Sequence, residues 1–402
     1  MLLRLAIKSL KERKKSVILA IASMTITTLV LLGVEHIRHQ SKENFSNSIS
    51  GVDLIVGART GSLNLLLYSI FKIGSPTNNI SWQSYEAIAS DEKIKWAIPI
   101  SLGDSHKGYR VVGTSRDFFK YFKYRKKQSI EFNSGTEFTN ESEVVLGHEV
   151  AQKLDYKLGD QLVLAHGVSN TSFSLHDNHP FTVVGILKPT GTPVDQSLHI
   201  NLAGMEAIHS PINAHFEDDF TPQYITAFML GLESKLSIFG VQRNINSYAP
   251  EPLSAILPGI ALSELWSIMN RVENLLLIIS ALFFVSCCFG MSAMLIASIR
   301  ERENEIQLLR IIGASPIFLF LLIEIEMLLI AGLGIITGAL SLILLIIATQ
   351  DLILENFGLH IGYNILSESN LMIMSFIMVI ALIIAAIPSI YAYKQSTSPI
   401  KN

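Results

Sequence analysis

The stretch that decides the fold is Leu275-Leu-Leu-Ile-Ile-Ser-Ala-Leu-Phe-Phe-Val-Ser-Cys-Cys-Phe-Gly-Met-Ser-Ala-Met-Leu-Ile-Ala297. It carries no charged residue over more than the roughly 20 positions that an α-helix needs to cross a bilayer. A short charged segment follows, Ser298-Ile-Arg-Glu-Arg-Glu-Asn-Glu-Ile-Gln-Leu-Leu-Arg-Ile-Ile-Gly-Ala-Ser-Pro316. Its helical pattern closes at Gly313, after which Ser315 can cap a new helix that has Pro316 in its first turn.

A second apolar run, Ile317 to Ala348, follows directly and is interrupted only by Glu324 and Glu326. Two apolar helices joined this tightly predict a membrane hairpin with a charged tip. The run is longer than a bilayer requires. Its Gly334-Ile-Ile-Thr-Gly338 spacing would let another helix approach closely.

The composition predicts a mixed membrane and soluble architecture. Of 402 residues, 49% are hydrophobic and 16% are charged, which is too apolar for an ordinary soluble enzyme. The formal charge of -3 gives no nucleic-acid signature. Cys287 and Cys288 are adjacent within the apolar run, so they say nothing about the redox compartment.

The amino-terminal residues 1–15 predict a basic amphipathic helix on a membrane surface, with Leu3, Ile7 and Leu10 on an apolar face. Ser16 to Val34 is then an uncharged run just long enough to span. A cleavable signal peptide is the alternative, but its small-residue site, Ala20-Ile-Ala22, comes too early in the apolar core. A retained first span is favoured. Leu371 to Ile387 predicts a fourth span that ends near Pro388.

Between the first two spans, Glu35 to Glu273 contains no comparable apolar run and predicts a large α+β domain. Loops are predicted at Arg125–Ser142 and His166–His179. Gly57-Ala-Arg-Thr-Gly61 is rich in glycine but lacks the lysine of a phosphate loop, so it is interpreted as a loop without a nucleotide site. The expected helices are Ser81–Ser90, Arg116–Phe122, one that follows Leu146 and runs through Leu154, Leu202–His209 and Lys235–Tyr248. The expected strands are Ile94–Leu102, Tyr109–Gly113, Glu143–Leu146, Gln161–Ala165, Phe181–Leu187, Leu198–Asn201 and Ile225–Leu232.

The end of this domain predicts a helical stalk. Leu262, Leu265, Met269 and Val272 repeat at three and four residues and lead into the second span without a breaker. The alternative is a surface helix of the domain. Glu35–Ser50 is free of Pro and Gly and suggests a matching extension after the first span.

Basic residues predict the orientation. They precede the first span and occupy the hairpin tip and the carboxy-terminal tail, whereas Thr349–Asn370 has none. The excess of positive charge in the cytoplasm then places both termini inside. The predicted division is a cytoplasmic amphipathic helix 1–15, transmembrane helix 1 at 16–34, a periplasmic α+β domain with stalk at 35–274, transmembrane helix 2 at 275–297, a cytoplasmic coupling loop 298–316, transmembrane helix 3 at 317–348, a periplasmic loop 349–370, transmembrane helix 4 at 371–393 and a cytoplasmic tail 394–402.

This layout resembles the MacB/FtsX permease family, the type VII ABC transporters, which include MacB-like and LolCDE-like transmembrane subunits. The tip from Arg300 to Ser315 is similar to the family's arginine-rich Ile-Gly-Ala-Ser signature, and Glu326 falls where the family carries a glutamate. Val145-Leu-Gly-His-Glu-Val-Ala-Gln-Lys-Leu-Asp-Tyr-Lys-Leu-Gly-Asp160 resembles an external-domain turn of the macrolide exporter and the lipoprotein-release permeases. The carboxy-terminal tail departs from the pattern, because Ser398-Pro-Ile comes late.

The resemblance implies a non-catalytic permease subunit in the inner (cytoplasmic) membrane, and the chain indeed contains no Gly-x-x-x-x-Gly-Lys-Ser/Thr phosphate loop. It binds no cofactor itself, since ATP and Mg²⁺ belong to a separate cytoplasmic ABC ATPase that docks on the hairpin tip. A solvated charged helix is the alternative for that tip. The ATPase-coupling residues implied are Arg300, Glu301, Arg302, Glu303, Glu305 and Arg310, with Gly313 as the turn.

Two further groups of polar residues are candidates. Carboxylates within a span are costly, so Glu324 and Glu326 have either a structural or a coupling role, with an end residue such as Arg310 as a possible partner. His176 and His179 are the best-placed metal ligands, but two residues do not make a zinc site. Scattered surface histidines are the preferred explanation for the set His166, His176, His179, His199, His209 and His215.

Three functions fit these features. The first is a permease subunit that uses ATP-driven mechanotransmission to export or extract a substrate from the periplasm or the outer leaflet, as a homodimer, with a periplasmic adaptor or lipoprotein as a possible further partner. The second is an FtsX-like regulator that transmits ATPase motion to a cell-wall hydrolase. The third is a membrane-tethered extracytoplasmic enzyme. The size of Glu35–Glu273 favours the first.

Overall fold

The computed structural model describes residues 2–166, 179–209, 221–301, 315–357 and 362–397. The chain forms two compact units. The first, called the helical unit, comprises Met1–Ser41, Met269–Ile353 and Ile361–Asn402, and the second, called the α+β unit, comprises Lys42–Ile268 and Leu354–His360.

Helices and strands alternate irregularly between two long stretches of helix. The helices of the described residues are α1 (Leu2–Glu12), α2 (Lys14–Asn47), α3 (Ser62–Ser69), α4 (Trp82–Ala89), α5 (Asp117–Tyr121), α6 (His148–Lys153), α7 (Leu202–His209), α8 (Ile238–Asn246), α9 (Pro258–Glu301), α10 (Pro316–Phe357) and α11 (Glu368–Thr397). The strands are β1 (Leu54–Ala58), β2 (Ile80–Ser81), β3 (Ile94–His106), β4 (Tyr109–Thr114), β5 (Lys123–Tyr124), β6 (Gln128–Ser129), β7 (Phe132–Gly135), β8 (Glu143–Leu146), β9 (Gln161–Leu162), β10 (Ala165–His166), β11 (Phe181–Leu187), β12 (Ser197–Asn201), β13 (Tyr224–Ile225), β14 (Ala227–Leu232) and β15 (Leu253–Ile256).

Among the described residues, 4 helices are long and apolar enough to cross a membrane: Lys14–Glu43, Pro258–Ala297, Pro316–Gln350 and Glu368–Tyr391. Each exceeds the roughly 20 residues that a span requires. The expected combination of four apolar helices with a mixed α/β domain is therefore confirmed.

α9 and α2 are both much longer than a bilayer requires, as is α10 with 42 residues. α9 contains 44 residues and is about 66 Å long at 1.5 Å per residue, against a hydrocarbon core of about 30 Å. α2 contains 34 residues. The predicted unbroken helix from Leu262 into the second span is confirmed, and the extension suggested for Glu35–Ser50 is helical through Asn47.

The α+β unit is built on a mixed sheet. Its described strands follow the order β15-β1-β14-β3-β4-β12-β8-β11-β7, with β10 paired to β3 and β9 paired to β11. Two neighbouring pairs, β12 with β4 and β8 with β11, are parallel. The other strand pairs of this sheet run antiparallel.

Burial along the strands explains their sequence patterns. β11 alternates strictly between buried and partly exposed positions, as expected for a strand with one face on a core. β14 is buried throughout and is apolar throughout. At Gly231 a Cβ atom would lie 2.1 Å from the Trp96 ring, so the sheet has room only for glycine there.

Most predicted elements of the α+β unit are present, including β8, β11 and α7 with the expected bounds. The predicted loop at Arg125–Ser142 is wrong in part because it contains β6 and β7. The polar sequence of β7, Phe-Asn-Ser-Gly, gives no strand signal, yet it pairs with β11 at the sheet edge. The loop interpretation of Gly57–Gly61 is also wrong in part, since Gly57 and Ala58 belong to β1.

The carboxy-terminal helices differ from expectation. α10 continues to Phe357 and α11 begins at Glu368, so much of the predicted Thr349–Asn370 loop is helical. α11 also does not end near Pro388 but passes through it. A proline leaves the carbonyl four residues earlier, here that of Ile384, without its helical donor. The Ser292 hydroxyl of α9 donates a long hydrogen bond of 3.4 Å to that carbonyl.

Candidate functional site

Most residues of the predicted coupling tip lie outside the described residues. Arg302, Glu303, Glu305, Arg310 and Gly313 all fall in 302–314, and their role stays a prediction. Arg300 and Glu301 are the last residues of α9. The helix that follows starts as expected, because α10 begins at Pro316 and the Phe318 amide donates to the Ser315 hydroxyl at 3.3 Å.

Glu326 is the centre of a buried polar cluster in the helical unit. Its side chain is 4% exposed, and Arg13 Nη2 lies 2.5 Å from its Oε2 atom. The Ser9 hydroxyl donates to Oε1. The partner foreseen among the end residues, Arg310, is outside the described part of the chain, and the partner present is Arg13. A buried carboxylate needs such compensation, because the cost of removing its charge from water is several kcal/mol.

The local sequence explains how one short segment places both donors beside Glu326, since Ser9 lies in α1 and Arg13 directly follows its last residue. Ser9 and Arg13 are four residues apart, so they lie on the same side of the helical path. Arg13 Nη2 also donates to the Ser9 hydroxyl at 3.0 Å. Ala6 and Leu10 are buried on the same side, whereas Leu3 is exposed. Besides its basic and apolar residues, this segment therefore carries a polar pair, Ser9 and Arg13, that holds α1 against α10.

Glu324 has a different environment from Glu326. It is half-buried, while Glu326 is buried. Two residues along a helix turn a side chain by about 200°, so the two carboxylates cannot share one partner.

The Gly334-x-x-x-Gly338 motif packs α10 against α2. A Cβ atom on Gly334 would lie 2.5 Å from Met24, and one on Gly338 would lie 2.8 Å from Thr28. The hydroxyls of Thr25 and Thr337 are 2.6 Å apart across the same contact. The close helix approach predicted from the motif is confirmed, and α2 is the helix that approaches.

Within the α+β unit, the carboxy-terminal end of α2 and the amino-terminal part of α9 are joined by an aromatic contact. The Phe45 ring at the end of α2 lies 5.7 Å from Trp266 of α9 and 4.5 Å from Phe71. The Ser62 hydroxyl at the start of α3 donates to Glu264 of α9. Both helix ends thus pack on the core of this unit, which includes Phe71.

The histidines do not form a metal site in the described residues. His176 lies outside them, and His179 is buried, as is His199. The interpretation of these two as surface histidines is therefore wrong. His199 stacks on Phe118 with ring centroids 4.9 Å apart. Burial, together with the positive charge of Lys72, lowers the pKa of His199 to about 3.

Sequence reasoning identified Glu326 but missed Arg13 and Ser9. The sequence does contain a signal for these two residues, because one side of α1 carries more small and polar residues than a helix that only lies on lipid would need. Ser9 and Arg13 interrupt the buried side formed by Ala6 and Leu10. A polar pair inside an otherwise apolar stripe indicates a partner.

Comparison with known families agrees with this architecture. The family of MacB-like periplasmic core domains matches residues 16–247. The family of FtsX-like permease carboxy-terminal domains matches residues 277–397. The chain belongs to the MacB/FtsX family of ABC transporter permeases. It is therefore a permease-type subunit, of a family whose members work with ABC ATPase partners.

Solved structures of family members are similar in part. The periplasmic region of MacB from Actinobacillus actinomycetemcomitans is 11% identical and covers 56% of this chain and 95% of its own, with a TM-score of 0.35. The extracellular domain of the noncanonic ABC-type transporter YknZ from Gram-positive bacteria is 12% identical and covers 51% of this chain and 98% of its own, with a TM-score of 0.32. A search among curated proteins found no match.

Proposed function

We propose that this permease subunit is a mechanical transmitter. A separate cytoplasmic ABC ATPase binds the tip between α9 and α10, and its movement reaches the α+β unit through α2 and α9. The subunit acts as a homodimer in the inner membrane with both termini in the cytoplasm. Its α+β unit works in the periplasm, on a substrate taken from there or from the outer leaflet, with a periplasmic adaptor or a lipoprotein as a further partner.

The observation that carries this proposal is the length of α2 and α9 together with what their far ends contact. Both helices contain an apolar segment long enough to span, and both continue without a break to residues in the core of the α+β unit. A continuous helix is stiff over such distances, because each residue in its interior is fixed by its own backbone hydrogen bonds. A displacement at one end is therefore delivered to the other.

The helical unit supports the same function. Gly334 and Gly338 allow close packing of α2 on α10, and Glu326 joins α10 to the α1–α2 junction. The first span is thus attached to the helix that directly follows the predicted docking tip. The size of the α+β unit favours export or extraction over the hydrolase-regulating role.

Docking is tested by reversing two charges at the tip. The variant E303K/E305K, expressed with the partner ATPase, should lose ATPase recruitment and transport, because the charge pattern that the ATPase would recognise is inverted. The control is E368K, a charge reversal on an exposed residue at the start of α11. Normal recruitment and transport in E303K/E305K would refute docking at this tip.

Transmission is tested separately at the other end of α2 and α9. The variant F45A/W266A removes the aromatic contact that joins the two helices and should keep ATPase binding while transport falls. L236A, which truncates a side chain that is 95% exposed in the same unit, is the control and should behave as the wild type. Undiminished transport in F45A/W266A would contradict transmission by this route. A defect confined to cell-wall cleavage would instead support the regulator function.

A further inference from the structure

Two adjoining cavities lie between α2 and α9 in the helical unit. The larger is an apolar groove of about 570 Å³, lined along α2 from Ser16 to Thr27 and along α9 from Phe283 to Met294. The smaller, of about 390 Å³, lies at the start of α2. Ser16 and Met294 line both. The two cavities therefore form one elongated space with a polar head and an apolar body.

The head of this space is cationic. Arg13, Lys14 and Lys15 line it together with one carboxylate, Glu12. The charge of Arg13 is already matched by Glu326. Lys14 and Lys15 are exposed. Two lysines against one carboxylate leave an excess of positive charge at the point where the apolar part of α2 begins.

The body of the space has the dimensions of one bilayer leaflet. From Ser16 to Thr27 the helix rises about 16 Å at 1.5 Å per residue, and half of a hydrocarbon core is about 15 Å. The rim is formed by large apolar side chains, since Leu19 is 73% exposed, Phe283 is 66% exposed and Ile26 is 64% exposed. A hydrocarbon chain matches this surface in chemistry and in length.

We infer that this space binds one anionic phospholipid from the leaflet on the amino-terminal side, with its phosphate at Lys14 and Lys15 and an acyl chain along the groove. Basic pockets between transmembrane helices recognise anionic headgroups in this way. Charge complementarity favours a lipid over a second copy of the chain, because a second copy would bring the same lysines to the interface and repel them. The inference requires only that the helices span the membrane, not that the proposed transport function is correct.

The test counts lipids that remain on the full-length protein. The protein is reconstituted in nanodiscs of phosphatidylglycerol and phosphatidylethanolamine, released into detergent, and examined by native mass spectrometry. The wild type should retain about one phosphatidylglycerol per chain in preference to phosphatidylethanolamine. K14Q/K15Q should bind phosphatidylglycerol roughly 30-fold more weakly, from the usual contribution of two interfacial lysines. K8Q/K11Q makes the same charge change on α1 outside the cavity and should bind as the wild type does.

A second variant tests the groove without changing charge. A Cβ atom on Gly290 meets no atom within 4 Å, so G290F fills the groove without disturbing the helix. It should reduce lipid retention and leave the oligomeric state unchanged. Equal retention by K14Q/K15Q and K8Q/K11Q would overturn the inference, as would equal binding of the two lipids. A change of oligomeric state in G290F with full lipid retention would show that a second copy occupies the groove.

Discussion

The polar cluster around Glu326 gives the sharpest prediction. Replacing Glu326 by Gln removes the carboxylate that Arg13 and Ser9 contact. Breaking a buried pair from one side costs about 3–5 kcal/mol, because the remaining charge is left without compensation. Arg13 keeps 15% of its side chain exposed, so the lower end, about 3 kcal/mol, is expected. The loss should appear as release of α1 from the other helices rather than as global unfolding.

Hydrogen exchange of the full-length protein in detergent measures that release. A loss of about 3 kcal/mol raises the population with α1 detached by roughly 100-fold, at tenfold per 1.4 kcal/mol, and exchange of residues 2–12 should accelerate by the same factor. E324Q is the matched control, since it makes the same chemical change two residues away on a half-buried side chain. It should leave exchange in α1 unchanged.

A double variant separates the ion pair from other causes. R13Q/E326Q removes both charges, so it should be less destabilised than the sum of R13Q and E326Q. Exchange of α1 that is the same in E326Q and in the wild type would refute the reasoning. Additive effects in R13Q/E326Q would show that Arg13 and Glu326 act independently.

Two further predictions concern packing and pH. G338L should destabilise the helical unit by about 1–3 kcal/mol through overpacking on Thr28, which would lower the melting temperature in detergent. The control is G332L, because a Cβ atom on Gly332 has its nearest contact at 3.8 Å. Equal melting temperatures of the two variants would contradict the close approach of α2 and α10. The α+β unit should lose stability as the pH falls from 6.5 towards 3, by up to about 1.4 kcal/mol per pH unit, because the pKa of His199 is lowered from 6.5 to about 3 in the folded state only. Urea unfolding followed by tryptophan fluorescence measures this slope; H199F should flatten it and the partly exposed H148F should not, whereas an unchanged slope in H199F would assign the acid sensitivity to other groups.

The sequence predicted elements whose signal is local. The four apolar runs, the Ser315-Pro316 helix start and the alternating strand β11 all depend on neighbouring residues, and all are present. The weak strand β7 was missed because its pairing partner β11 lies about 50 residues away and supplies the stabilisation. Local patterns carry no information about such partners.

The candidate site was predictable only by half for the same reason. The carboxylate of Glu326 within an apolar run predicts a polar partner, but that partner, Arg13, is 313 residues away in the chain. The glycine motif likewise predicts a close helix approach. That the approaching helix is α2 is known only from the structure, in which Met24 and Thr28 pack against the two glycines. The sequence therefore shows that Glu326 needs a polar partner and that the two glycines allow close packing, whereas only the fold identifies the residues that lie against them.

Pro388 lies in the interior of the last span, whereas the prolines of the other described spans, Pro258 and Pro316, are at helix starts, and this gives the last span a distinct mechanical property. Because the Ile384 carbonyl has already given up its intrahelical donor, bending α11 at this point breaks no backbone hydrogen bond of the helix. The Ser292 hydroxyl, 3.4 Å away, can follow that carbonyl or let it go at small cost. The final span therefore contains a built-in joint, at which its two halves can swing while each half stays rigid.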